Sequence, residues 1–180
     1  MSGIEKKIVK IVKIAQNSSN ESAFQKNDDY MKFKSMKLKS AYSLDINHLI
    51  MSLELLHFQE ECIYWYKRLL KITDMCNKEA RHEIFWGIIK IYMAKQEHGL
   101  VLQYGKEALE NAKGTNLPKH FQEFEVGSEL LRLEKYRDAL PYFNSENLNF
   151  FTNPQASNQF LAENSMVDIL SLAKSILHIK

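Results

Sequence analysis

A chain that repeats its own pattern at a fixed spacing builds its fold from copies of one unit, because each copy buries its apolar face only against the next. Here the segment from His82, HEIFWGIIKIYMAKQEHGLVLQYGKEALENA, superposes without a gap on the segment from His120, HFQEFEVGSELLRLEKYRDALPYFNSEN. Ile88 then falls on Val126, Tyr92 on Leu130, His98 on Tyr136, Val101 on Ala139 and Tyr104 on Tyr142. Carried backwards with one further position, the same register sets an earlier unit from Ser43, with Leu49, Leu53, Cys62, Trp65 and Leu69 on the equivalent apolar positions.

Each unit divides into two stretches around a tight turn: 44–56 with 59–73, 79–95 with 99–113, and 119–133 with 136–147. Apolar residues recur at helical spacing within them, as in Phe85, Ile88, Ile89 and Tyr92, which share one helix face. Six Gly and three Pro in 180 residues supply too few turns for a many-stranded β fold. The reading is all-α: a basic helical arm over 1–42, three helix hairpins over 43–147 (43–81, 82–119 and 120–147) and capping helices over 148–180. Gly114 is placed to end a helix in the left-handed conformation and Pro118 to sit in the first turn of the next. Pro141 is expected in the first turn of the last hairpin's second helix, where its missing N–H costs little.

The hairpins resemble the tetratricopeptide repeat through Tyr92, Ala108 and Leu109 in the second unit and Gly127, Tyr136, Ala139 and Phe143 in the third, with EKYRDALPYF the best stretch. The resemblance covers residues 43–147. It implies a right-handed superhelix in which Gly127 lets the second helix of its hairpin approach and Ala139 fills the tightest crossing. Ile89 and Val101, like Ile50 and Cys62, stand where the family favours small residues, and the spacing exceeds the family's usual value of about 34. What the resemblance implies for function is a protein- or peptide-binding module. It is similar either to the regulators that sense peptides in bacterial signalling or to the chaperones of secretion systems with three tandem repeats.

In such arrays the first helix of each hairpin lines the concave surface. The resemblance therefore maps a candidate groove to Asn47, Met51 and Leu55 in the first unit, Trp86, Lys90 and Met93 in the second, and Phe121, Phe124, Ser128 and Arg132 in the third. Its aromatic and apolar character with two cations suits a peptide that has apolar anchors and acidic character. The alternative is that the aromatics pack beneath the flanking helices. Only Arg132 falls on a position of the carboxylate clamp used by arrays that bind chaperone tails, so that ligand is not expected.

The flanks carry two further helical patterns. Residues 3–15 set Ile4, Ile8, Ile11 and Ala15 in one stripe opposite Lys6, Lys10 and Lys13, which reads as a helix capping the first hairpin or, alternatively, one docking on a membrane surface. Residues 16–22 read as a polar link, after which Asp28 or Asp29 is placed to cap a helix over Tyr30–Tyr42 with lysines 32, 34, 37 and 39 on a solvated face. Asn153-Pro154 is a helix start, and Met166, Ile169, Leu170, Ala173, Ile176 and Leu177 form a terminal stripe. That stripe is either a lid or the surface of a homodimer, and dimerising through it, or docking through the basic N-terminal helix, defines the alternative function, a structural or assembly protein.

Catalytic chemistry has no motif to rest on. Six histidines, at 48, 57, 82, 98, 120 and 178, include no HExxH, no GxGxxG, P-loop or GxSxG occurs, and the acids are spread as on solvated helix faces. Cys62 and Cys76 lack the spacing of a zinc site or a disulfide framework. The expectation is a protein that is not an enzyme and takes no cofactor or metal. Nine Lys against four acids make residues 1–40 basic, but they contain no Arg, so nucleic acid is not the expected partner. With no continuous apolar run long enough for a leader or a membrane span, the expected compartment is the cytoplasm.

Overall fold

The computed structural model describes residues 3–143, and all of their regular structure is helical. The described residues form two compact units, 3–91 and 92–143. The N-terminal arm and the first hairpin belong to the first unit. The expected capping helices from Asn153 onward, with their terminal stripe, lie outside the described residues.

The first unit holds α1 (Gly3–Asn17), α2 (Glu21–Gln25), α3 (Asp28–Lys34), a 3₁₀ turn (Ser40–Tyr42), α4 (Ser43–Leu55) and α5 (Gln59–Ile72). Helix α6 (Lys78–Ala94) begins in it and runs past the boundary. The second unit holds α7 (His98–Asn111), α8 (His120–Arg132), α9 (Tyr136–Ala139) and a 3₁₀ turn (Leu140–Tyr142).

Three of the turns that end helices are copies of one another. His57, Gln96 and Glu134, which the repeat register aligns, all adopt the left-handed conformation at φ 57°. In each, the next residue donates its N–H back across the turn: Phe58 to Leu53, Glu97 to Tyr92 and Lys135 to Leu130, at 2.9–3.0 Å. The left-handed residue itself donates to Glu54, Met93 or Leu131 at 2.9 Å. This is the Schellman arrangement, which satisfies the last carbonyls of a helix, built here without glycine. Gly114, with φ 70°, is also left-handed, as expected at the end of a helix.

Four expectations are corrected. The polar link is shorter than read, because Asn20 accepts the Ala23 N–H at 2.9 Å and caps α2. Helix α3 is capped by Asn27, not by an aspartate, and it stops at Lys34. The Arg68 guanidinium takes the Lys34 carbonyl at 2.6 Å and that of Met36, which draws the chain out of helical geometry. Pro118 lies two residues ahead of α8, whose N-cap is Lys119. Pro141 falls beyond the first turn: having no N–H for the Arg137 carbonyl, it ends α-helical bonding at Ala139 and the chain tightens into a 3₁₀ turn.

The cores follow the apolar periodicity. In the first unit, Ile4, Ile8, Ile11 and Ala15 of α1 are buried, with α1 packed on α4 and α3. Phe24 stacks on Tyr30 with ring centres 3.9 Å apart, and Phe33 meets Trp65 at 5.3 Å. In the second unit α7 runs along α8, and the approach depends on small residues. A Cβ at Gly105 would lie 2.6 Å from a Val126 methyl, and one at Gly127 would lie 2.7 Å from the Phe143 ring. Ala139 is fully buried.

Candidate functional site

Helix α4 is apolar on two faces, and among the described residues only one of them is covered. Ile46, Leu49, Ile50 and Leu53 are fully buried, and α4 packs on α5 and α1. Leu44, Met51 and Leu55 recur at i, i+7 and i+11, which places them on a single stripe. They are 68%, 54% and 83% exposed. Asn47 and His48, on the same side, are exposed as well. Scattered apolar side chains on a surface mean little, but these three are aligned on one helix and form a continuous exposed apolar face. The stripe spans about 16 Å at the helical rise per residue.

The candidate groove residues divide between the units. Asn47 and Met51 share the α4 stripe; Trp86 is half-buried and Lys90 exposed on the first-unit part of α6. Met93, at the end of α6, is half-buried in the second unit, as is Phe121, whose ring lies 4.7 Å from that of His120. Phe124 is fully buried and meets Phe143 edge-on at 5.9 Å, and Ser128 is buried too. These two side chains belong to the core of the second unit instead of an open surface. Arg132 is partly exposed and bonded to the Glu129 carboxylate.

Two polar clusters were not legible in the sequence. In the first, Glu61 is buried and accepts from Tyr30 Oη and from Lys34 Nζ, the latter at 2.8 and 3.0 Å. Trp65 Nε1 donates to the same Tyr30 oxygen at 2.9 Å, and the Glu61 N–H donates to Glu21 Oε1 at 2.8 Å. Glu21 thus serves one of the free N–H groups at the start of α5, although burial pushes its carboxyl above the usual range. Lys34, expected on a solvated face, is a structural cation here. Burial raises the Tyr30 phenol far above its ordinary range, and the Glu61 charge beside it adds to the effect.

The second cluster lies on α8, where Gln122, Glu125, Ser128 and Glu129 are buried, against the expectation of solvated acids. Burial, reinforced by the Glu129 charge and opposed by Arg132, raises the Glu125 carboxyl to about 7. His98 Nδ1 lies 3.0 Å from Glu129 Oε2. The sequence hides these acids because helical periodicity shows which residues share a face, not whether something covers that face.

Among the described residues no group of three or more His, Cys, Asp or Glu is placed to hold a metal ion. No described helix is long and apolar enough to cross a membrane. No family model, curated protein or solved structure matches the chain.

Proposed function

We propose that the chain is a tetratricopeptide-like interaction module that captures an amphipathic helical segment of another protein along α4. The observation that carries this reading is the exposed Leu44/Met51/Leu55 stripe on a helix whose opposite face is fully buried. A partner helix with apolar residues at i, i+4, i+7 and i+11 matches such a stripe in length and spacing. Met51 adapts its shape to the anchor it meets, and the rigid seat of α4 on α5 and α1 keeps the ordering cost of binding low. The three matching hairpin turns support the repeat resemblance. The reading is compatible with a regulator of the peptide-sensing kind and with a chaperone for an exported protein.

The test compares wild type with Met51→Glu/Leu55→Glu, two exposed positions whose replacement leaves the core intact. With a photoreactive residue at the exposed position 48 in both proteins, the wild-type stripe is expected to cross-link to a helical segment that the variant does not bind, while both melt alike. An unchanged partner set refutes the reading. A mass in solution that doubles for wild type and not for the variant makes the stripe a self-association surface, and the assembly reading replaces this one.

A further inference from the structure

A second site lies on the first unit, between α1 and α3, and its chemistry differs from that of the α4 stripe. It is a depression of about 260 Å³. Its floor is apolar, made of the buried Ile11 and Phe33 with the half-buried Met36. Its rim is charged: Lys7 and Lys10 from α1 face Asp29 and Lys32 from α3.

The rim charges do not cancel. Lys10 pairs with Asp29 at 2.8 Å, which together with Lys32 holds that carboxyl below its ordinary range. The Lys7 ammonium lies 3.5 Å from Met36 Sδ, a weak acceptor with no charge to offer. Lys32 is attracted by the same Asp29 that Lys10 already occupies. Two positive charges are left over at the mouth of an apolar depression.

We infer that this depression docks an acidic peptide segment of a partner protein, seating one bulky apolar side chain on Ile11, Phe33 and Met36 while flanking carboxylates meet Lys7 and Lys32. The volume falls just under the range of roughly 300–1,000 Å³ typical of small-molecule sites, which gives room for one side chain rather than a whole cofactor. Met36 lets the floor conform to an aromatic or a branched anchor. A carboxylate arriving beside Lys7 replaces a thioether with a charge-assisted hydrogen bond. An anionic bilayer fits less well, because the apolar stripe of α1 that would enter it is buried inside the fold.

The probe is a fluorescein-labelled pentapeptide with one phenylalanine flanked on each side by two glutamates, titrated into the full chain and followed by anisotropy. Binding is expected to weaken with salt and to fall about tenfold in Lys7→Ala/Lys32→Ala, a variant that melts like wild type. The charge-reversed Lys7→Glu/Lys32→Glu protein should instead take the peptide whose glutamates are replaced by lysines. Met51→Glu/Leu55→Glu should bind the acidic probe as wild type does, which separates this site from the α4 reading; loss there would place the probe on α4 and overturn the assignment. The inference also fails if the probe does not bind, if the alanine variant binds it equally, or if a peptide with alanine for phenylalanine binds as well. Capture of phosphatidylserine vesicles without capture of the probe makes the surface a lipid site and overturns it too.

Discussion

His57 and Gln96, one repeat apart, hold the same left-handed backbone angle, φ 57°, at the same point of their hairpins. Glu134 repeats it in the next hairpin. A residue with a Cβ is strained in that region by about 1–2 kcal/mol, part of which glycine returns through its larger backbone entropy in the unfolded chain. All three side chains are exposed, so replacing them removes little else. His57→Gly, Gln96→Gly and Glu134→Gly should each stabilise the protein by about 0.5–1 kcal/mol. Urea denaturation of the single variants measures this, and equal gains at the three sites would show that the turns share their energetics.

Stability should fall as the pH rises toward neutrality. The folded Glu125 carboxyl titrates near 7 against 4.5 in the unfolded chain, so between these values the folded state holds more protons. Its contribution is fully present below pH 4.5 and is lost as the pH passes through about 7. The full span is at most about 3 kcal/mol. Glu125→Gln, neutral throughout, should be the more stable protein at pH 8 and should flatten this part of the profile, which urea melts at pH 5 and pH 8 compare.

Tyr30→Phe removes the donor to Glu61 and the acceptor for Trp65 Nε1 in one step. Trp65 Nε1 is buried and loses its acceptor, which costs about 1–3 kcal/mol, while Glu61 keeps its bonds from Lys34. The expected loss is about 1–3 kcal/mol. Guanidinium unfolding followed by Trp65 fluorescence measures it, with Trp86→Phe as the background that isolates the signal.

Helical glycines should respond in opposite directions. Gly127→Ala places a methyl 2.7 Å from the Phe143 ring and 3.1 Å from Tyr142 Cβ, so overpacking outweighs the gain in helix propensity and costs about 1–3 kcal/mol. Gly99→Ala meets nothing within 4 Å and should stabilise α7 by up to about 1 kcal/mol. Thermal melts of the two variants check the sign of each effect.

The sequence by itself determined what local pattern encodes. Apolar spacing placed α4 through α8 to within a few residues, because a helix face is written in the residues that form it. The repeat register aligned His57, Gln96 and Glu134, which share one left-handed backbone angle. Where local competition decides, the reading slipped: Asn20 and Asn27 cap helices that composition alone left as a link or misplaced, and Pro141 cut a helix that periodicity carried on.

Tertiary structure alone decided which faces are covered. Leu55 and Leu53 are alike in pattern, yet one is 83% exposed and the other fully buried. Glu61, Glu125 and Glu129 look like any surface acids until Tyr30, Lys34, His98 and Arg132 arrive from other turns or other helices to meet two of them, and Glu125 is left with a raised pKa. Burial is a property of what lies across a gap, and the residues on the far side can be far away in the chain, as Tyr30 is from Glu61. Periodicity therefore specifies the helices, while packing specifies the charges they bury and the apolar stripe they leave exposed.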